Sequence, residues 1–156
     1  MTRWINLTAP AAVVATVSSA AQAVQYLSIP EAQKQAFPAA SFSEIQAGRI
    51  WRAESAGRLL GFFIFDRVIG KHLYIDYAVA LAPGGQVSRV EILEYRESYG
   101  GDVRSPSWLA QFVGKSNSSN LKIGADIRNI SGATLSSLHI TEGVKRILAA
   151  YGSRVR

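Results

Sequence analysis

Residues 131–137 read SGATLSS and place four hydroxyl groups in seven positions, with no acid, base or metal ligand among them. An amphipathic helix is predicted to follow directly, over about residues 136–151. Hydroxyls and unpaired N–H groups at the N-terminus of a helix favour a bound anion such as a phosphate. The glycine and alanine of the segment would allow close approach of the backbone. The segment therefore predicts a phosphate site, unless Ser136 or Ser137 simply caps the helix.

The sequence contains none of the usual combinations of catalytic or metal-binding residues, so no catalytic residue is predicted. His72 and His139 lie on different predicted elements, and neither has a second metal ligand at suitable spacing. SGATLSS lacks the second flanking glycine of a serine-hydrolase elbow, and the glycine patterns of P-loops and dinucleotide sites are absent. The chain has no cysteine, which excludes disulfides, thiolate-bound metals and thioether-linked haem.

The elements that must position this segment follow from local patterns. Residues 28–31 (SIPE) form a capping box with proline in the first turn, which predicts a short helix that ends near Phe37. Residues 59–65 are a nearly unbroken apolar run, typical of a strand buried on both faces. Residues 72–95 predict a β-hairpin that turns at residues 82–85. One face of its first strand would carry Leu73, Ile75, Tyr77, Val79 and Leu81.

The C-terminal half adds two helices. A short one is predicted to start at Ser105 and to end at Gly114. The last helix would carry a single apolar stripe made of Leu138, Thr141, Val144, Leu148 and Tyr151. A chain of 156 residues suits one domain with a real core, and no repeat or linker divides it. We therefore expect one α+β domain, an antiparallel sheet with helices packed against it.

The first 23 residues have the composition of a secretory signal peptide. Arg3 is the only charged side chain among the first 30 residues, and an Ala- and Val-rich run covers residues 5–20. Ala21-Gln22-Ala23 has the small-x-small pattern of a cleavage site. The run is short for a membrane span, although an uncleaved anchor is the alternative. We expect a signal peptide over residues 1–23 and a periplasmic, or otherwise extracytoplasmic, domain over residues 24–156.

The formal charge of the chain is +6, of which Arg3 contributes one. The basic residues are scattered, and Lys145-Arg146 is the only adjacent pair. An exported protein rarely meets nucleic acid, and nucleic-acid binding usually needs clustered basic residues. We interpret the charge as an aid to solubility, with weak attraction to anionic membrane surfaces and some local help for an anionic ligand.

The C-terminal half resembles the covalent FMN-binding domain found in flavoprotein subunits of sodium-pumping NADH:quinone reductases. It is most similar to the small, exported, single-domain members of that family. In the family, an Asp followed by [ST]-G-A-[ST]-x-[ST] is the flavinylation motif, and Asp126 followed by residues 131–136 matches it. Other stretches that resemble the family are residues 66–71 (DRVIGK), 95–101 (YRESYGG), 111–115 (QFVGK) and 143–145 (GVK).

The resemblance implies that Thr134, the second hydroxyl residue of the motif, is esterified to the phosphate of FMN. The neighbouring motif positions would surround the cofactor, namely Asp126, Ser131, Gly132, Ala133 and Ser136. Lys71 or Lys115 would help to balance the charge of the linked phosphate.

Residues outside the motif would contact the flavin ring. Glu97 would hydrogen-bond the flavin or brace its own loop, which also contains Gly100. Tyr99 stands where larger family members often have proline, and either Tyr99 or Trp108 would stack on the ring. Core packing is the alternative role for Trp108.

The resemblance thus implies an exported flavoprotein that carries electrons and has no substrate chemistry of its own. A membrane-bound or quinone-linked redox partner would feed or drain it, and a separate exported, Mg-dependent flavin transferase would attach the FMN. Two alternatives stay open. The protein would otherwise be a flavin-dependent reductase of a small substrate, or a binding module that has kept the fold without the cofactor.

Overall fold

The computed structural model describes residues 23–154, so the predicted signal peptide lies outside the described residues except for Ala23. One antiparallel sheet forms the centre of the molecule, with the spatial order β1-β6-β5-β4-β3-β2. Its strands are β1 (Val24–Gln25), β2 (Ser41–Gln46), β3 (Ile50–Ser55), β4 (Arg58–Ile69), β5 (Tyr74–Leu81) and β6 (Val87–Tyr95).

The helices pack on both faces of this sheet. They are α1 (Ile29–Ala36), α2 (Pro106–Leu109) and α3 (Thr134–Tyr151), and 3₁₀ turns at Gly101–Arg104 and Ala110–Phe112 flank α2. Within residues 23–154, no helix is both long and apolar enough to cross a membrane. The architecture confirms the predicted α+β class, with an antiparallel sheet and packed helices.

Helix α1 begins as its sequence predicts. The Ser28 side chain accepts a hydrogen bond from the Glu31 N–H, and the Glu31 carboxylate accepts one from the Ser28 N–H at 2.7 Å. This reciprocal pairing satisfies two backbone donors that the helix itself leaves unused. The helix ends at Ala36, with Phe37 as its C-cap and proline next, which cannot extend it.

The predicted hairpin is confirmed, and its neighbours differ from prediction. Strands β5 and β6 pair from Ile75 opposite Tyr95 to Leu81 opposite Val87. Strand β4 continues to Ile69, beyond the predicted end of the apolar run, because pairing with β5 extends through Ile69 and Tyr74. The local sequence patterns do not predict β1, β2 or β3. For β2 the reason is that an edge strand with mostly exposed side chains has no apolar alternation.

Alternate side chains of the central strands enter two separate cores. Ile64, Tyr77 and Val79 point toward α3 and the segment around α2, whereas Phe63 and Ala78 point toward α1. Burial on both faces explains the apolar composition of β4 and β5. The sheet is therefore a rigid support, and the loops described below extend from the end at which β4 and β6 finish.

Helix α3 lies across the sheet on a buried stripe close to the predicted one. Thr141, Val144 and Leu148 are buried as expected, and Ile140 and Ile147 complete the stripe. Leu138 and Tyr151 are only half-buried. Each fully buried aliphatic side chain contributes roughly 2 kcal/mol of transfer free energy to folding. This packing fixes the N-terminus of α3 beside the end of β6.

Candidate functional site

An open cleft of about 530 Å³ lies at the N-terminus of α3. Three segments form its walls: the tip of the β4–β5 hairpin with Lys71 and His72, the loop of residues 97–100 after β6, and residues 132–136 at the start of α3. Its volume is in the range of about 300–1,000 Å³ that is usual for small-molecule sites. The hydroxyl segment is therefore part of a real concavity.

The hydroxyl segment enters α3 through a tight turn. The Ala133 N–H donates to the Ile130 carbonyl at 3.0 Å, and Gly132 has a φ of +81°. A positive φ at the third position of such a turn favours glycine. No atom lies within 4 Å of the position that a Cβ on Gly132 would occupy. The turn therefore explains the glycine, and the predicted close approach of the backbone to a ligand stays a prediction.

Helix α3 begins at Thr134, two residues before its predicted start. Ala133 is the N-cap, without a side-chain cap hydrogen bond, and both the N–H and the hydroxyl of Ser137 donate to the Ala133 carbonyl at 2.9 Å. Ser136 bonds elsewhere, so the alternative that Ser136 or Ser137 caps the helix is wrong. The helix does not use the N–H groups of residues 134–136, and its first turn contains no acid.

Thr134 presents an exposed hydroxyl on the cleft wall. Its Oγ1 accepts a hydrogen bond from Asn129 Nδ2 at 3.2 Å. The unused amides and the helix dipole surround this hydroxyl with positive potential. An anion that reaches Thr134 is therefore stabilised by the helix.

The opposite wall is held by Glu97. Its carboxylate accepts hydrogen bonds from the N–H groups of His72 and Leu73, the latter at 2.8 Å. Partial burial opposes ionisation, but these backbone donors lower the pKa of Glu97 below its usual range. Glu97 thus braces the tip of the β4–β5 hairpin rather than its own loop, and its predicted hydrogen bond with the flavin stays a prediction. From α3, His139 Nδ1 donates to the Ile69 carbonyl at 2.6 Å and fixes the same hairpin from its other side.

The side chain of Tyr95 links two walls of the cleft. Its hydroxyl donates to the Tyr99 carbonyl and lies 3.2 Å from Ser136 Oγ. Burial raises the pKa of Tyr95, which keeps the phenol protonated as a donor. Gly100 has a φ of +86°, and a Cβ there would lie 2.7 Å from the Tyr95 hydroxyl oxygen. The loop can therefore close over Tyr95 only with glycine at this position.

The cleft gathers eight of the twelve predicted contact residues: Lys71, Glu97, Tyr99, Gly100, Gly132, Ala133, Thr134 and Ser136. Tyr99 is 86% exposed, so its ring is available to a ligand. Ser131 is an exposed residue of the adjoining turn and does not line the cleft.

The remaining three predicted residues have other contacts. Asp126 accepts hydrogen bonds from the N–H groups of Leu121 and Lys122, and Lys115 Nζ lies 3.3 Å from its carboxylate. These donors, the Lys122 N–H above all, lower the pKa of Asp126 to about 2. Asp126 thus orders the loop that leads to the motif, and Lys115 pairs with it.

Trp108 belongs to the core. Its side chain is only 4% exposed, and its ring meets Phe112 edge-on at 5.2 Å between centroids. The indole N–H donates to the Arg128 carbonyl at 2.7 Å. Of the two predicted roles for Trp108, the structure supports packing.

Five residues of the site were not identified from the sequence. His72, Ser98 and Leu135 line the cleft, Tyr95 supports it, and Asn129 contacts Thr134. Each lies in or beside a stretch that resembles the family, which was the only available signal. Their individual roles depend on contacts between distant segments, which no local pattern reveals.

Comparison with known proteins agrees with this geometry. The family model of the FMN-binding domain matches residues 70–149, a range that includes every residue lining the cleft. The crystal structure of NqrC from Shewanella oneidensis has a similar fold, with a TM-score of 0.54 and 16% sequence identity over 68% of this chain. The aligned part covers 59% of the NqrC chain. No curated protein matches the sequence. Because the domain model spans just over half of the chain, the protein belongs to the FMN-binding domain family.

Proposed function

We propose that this protein is an exported electron carrier whose FMN is joined to Thr134 through a phosphoester. The position of Thr134 carries the proposal. Its hydroxyl is exposed on the cleft wall, at the first residue of an 18-residue helix, within the part of the chain that matches the FMN-binding domain. The hydroxyl therefore combines accessibility with a local potential that favours phosphate.

The residues of the cleft fit FMN. The N–H groups of residues 134–136 and the Lys71 ammonium supply donors and positive charge for a phosphate. The exposed Tyr99 ring and the Leu135 side chain offer apolar surface to a flat ring system. When bound, FMN supplies reversible uptake and release of electrons, whereas the chain supplies binding and orientation.

The covalent step needs an activated phosphoryl donor, and we infer a flavin dinucleotide. Thr134 Oγ1 forms a bond to the phosphorus next to the riboflavin part, and the pyrophosphate P–O bond breaks. A nucleoside monophosphate leaves, and the hydroxyl proton passes to a base of the transferase. A permanent link keeps the local cofactor concentration independent of supply, an advantage where free FMN is dilute.

A carrier role fits the polar groups of the cleft better than substrate chemistry does. The carboxylate of Glu97 is occupied by backbone N–H groups, and the Tyr95 hydroxyl is occupied by Tyr99 and Ser136. One observation favours a reductase as the second candidate, because His72 lines the cleft and histidine is the side chain that most often serves as a general acid or base. Saturable, substrate-dependent reoxidation would identify the reductase, whereas exchange only with artificial acceptors and a membrane or quinone-linked partner supports the carrier.

Export remains part of the proposal. Cleavage after Ala23 would leave the strand at Val24 intact, with Val24 still paired to Tyr95 of β6. N-terminal sequencing of periplasmic protein should therefore begin at Val24. An intact Met1 on that material would instead indicate an anchored form.

Intact mass under denaturing conditions tests the attachment. Protein coexpressed with an exported flavin transferase should gain the mass of FMN less one water. Thr134→Ala should lose this gain and Thr134→Ser should keep part of it. Ser131→Ala keeps the acceptor hydroxyl and should remain at least partly labelled, since Ser131 does not line the cleft. A mass gain that persists in Thr134→Ala would refute the attachment site, and colourless wild-type protein would favour the cofactor-free module.

A further inference from the structure

Within residues 23–154, the side chain of Asn129 donates a hydrogen bond to the Thr134 hydroxyl. The distance from Nδ2 to Oγ1 is 3.2 Å. We propose that Asn129 positions this oxygen for flavin attachment and afterwards donates to the linked phosphate. The proposal rests on the function proposed above, because it requires Thr134 to be the attachment residue.

The backbone holds Asn129 in place from its N-terminal side. The N–H of Arg128 donates to Gln111 Oε1 at 2.9 Å, and the Arg128 carbonyl accepts from Trp108 Nε1 at 2.7 Å. Both partners belong to the α2 segment, and the Trp108 ring is buried in the core. Asn129 is therefore presented to Thr134 by a fixed backbone even though its side chain is exposed.

The Thr134 side of the contact is equally fixed. The turn closed by the Ala133 N–H and the Ile130 carbonyl separates the two residues, and Ser137 bonds back to Ala133 to start the helix. The remaining conformational freedom on this side of the contact is the side-chain rotamer of Thr134. A hydrogen bond from Asn129 favours the Thr134 rotamer in which Oγ1 faces Asn129. Less side-chain entropy is then lost when Thr134 binds in the active site of the transferase.

The chemistry of the hydroxyl explains why an amide suits this position. A hydroxyl has one proton and two lone pairs. The Asn129 N–H occupies one lone pair, so the second remains for phosphorus and the proton remains free to leave. Once the Oγ1–P bond has formed and the donor's pyrophosphate bond has broken, the anionic phosphate is a stronger acceptor for the same N–H. A carboxylate at this position would accept the Thr134 proton and repel the phosphate.

The rate of attachment tests the proposal. Purified protein would be treated with flavin transferase and a flavin dinucleotide, and the adduct would be followed by intact mass. Asn129→Ala should slow attachment about fivefold, the effect of one lost hydrogen bond, and Asn129→Asp should slow it about twentyfold or more. Asn129→Gln keeps the amide and should recover part of the rate. Asn117→Asp is the matched control, because it introduces the same charge on an exposed loop residue outside the cleft.

A second measurement separates positioning from stability. The ³¹P chemical shift of the linked phosphate should differ between folded Asn129→Ala and wild type, while their thermal midpoints agree. Equal attachment rates in wild type and Asn129→Asp would overturn the inference and leave the attachment site standing. Equally slow Asn129→Ala and Asn129→Gln, with lowered midpoints, would overturn it in favour of a structural role. A wild-type chain that gains no adduct would overturn both proposals.

Discussion

The Tyr95 hydroxyl lies 3.2 Å from Ser136 Oγ and joins the last residue of β6 to the first turn of α3. Because Tyr95 gives its only proton to the Tyr99 carbonyl, Ser136 is the donor in this contact. Two walls of the cleft are therefore linked by one chain of hydrogen bonds.

Removing the link should loosen the cleft cooperatively. Tyr95→Phe leaves the Tyr99 carbonyl and the Ser136 hydroxyl without their partner and should lower the free energy of unfolding by about 1–3 kcal/mol. Ser136→Ala should cost about 1 kcal/mol alone and much less in the Tyr95→Phe background, because the two residues share one network. Denaturant unfolding of wild type, both single variants and the double variant measures the coupling. Strictly additive effects would show that the two walls are independent.

Close packing between α3 and the sheet should make Gly143→Ala destabilising. A Cβ at Gly143 would lie 2.3 Å from the Tyr77 hydroxyl oxygen and 3.0 Å from Val68. Overpacking of this kind costs about 1–3 kcal/mol, which outweighs the gain of up to about 1 kcal/mol that alanine normally brings to a helix. Tyr77→Phe should partly rescue the variant. Gly101→Ala is the control, since nothing lies within 4 Å of a Cβ there, and equal thermal midpoints for both glycine variants would contradict the prediction.

Acid should release the loop that Asp126 orders. The pKa of this carboxyl is lowered to about 2 by backbone donors, mainly the Lys122 N–H. Its contribution to stability is therefore complete above the unfolded value of about 4 and is lost as the pH falls from there through about 2. The difference in thermal midpoint between wild type and Asp126→Asn should be constant from pH 7 to pH 5 and should shrink below pH 4. A difference that grows in acid would contradict this sign.

The cation at the hairpin tip should strengthen FMN binding. In a Thr134→Ala background, where FMN binds without a covalent link, Lys71→Gln should weaken affinity about tenfold, the effect of one charge-assisted hydrogen bond. The loss should decrease at high salt because Lys71 is exposed. Lys145→Gln on the exposed face of α3 removes the same charge outside the cleft and serves as control. Quenching of flavin fluorescence gives both affinities, and equal losses would assign the effect to net charge alone.

Local signals in the sequence predicted the elements whose causes are local. The capping box at Ser28 and Glu31 fixes the start of α1 by contacts three residues apart, and the period of two in β5 reflects the pleat of a strand, although both of its faces are buried. Strand β2 is not predicted, because the solvated side chains of an edge strand show no regular alternation of apolar and polar residues. Helix α3 begins two residues before its predicted start, because no side chain caps it and the sequence therefore has no signal at Ala133.

The site could be predicted only as far as its motif. The role of Thr134 follows from the family resemblance, and the anion site at the start of a helix follows from helix chemistry. The walls depend on contacts between residues far apart in the chain, such as the Glu97 carboxylate on the Leu73 N–H and the Tyr95 hydroxyl near Ser136. These contacts are single hydrogen bonds that leave no periodic pattern in the sequence, so they cannot be predicted from it.

If the protein carries electrons as proposed, the paired polar groups of the cleft have a consequence for the speed of that exchange. Glu97, Tyr95 and Ser136 are each held by partners within the protein. Dipoles fixed in this way do not have to rotate when the charge beside them changes, so they contribute little to the reorganisation energy. A small reorganisation energy favours rapid transfer in both directions at a small driving force. In the carrier role proposed above, the same walls would hold the cofactor and keep the reorganisation energy small.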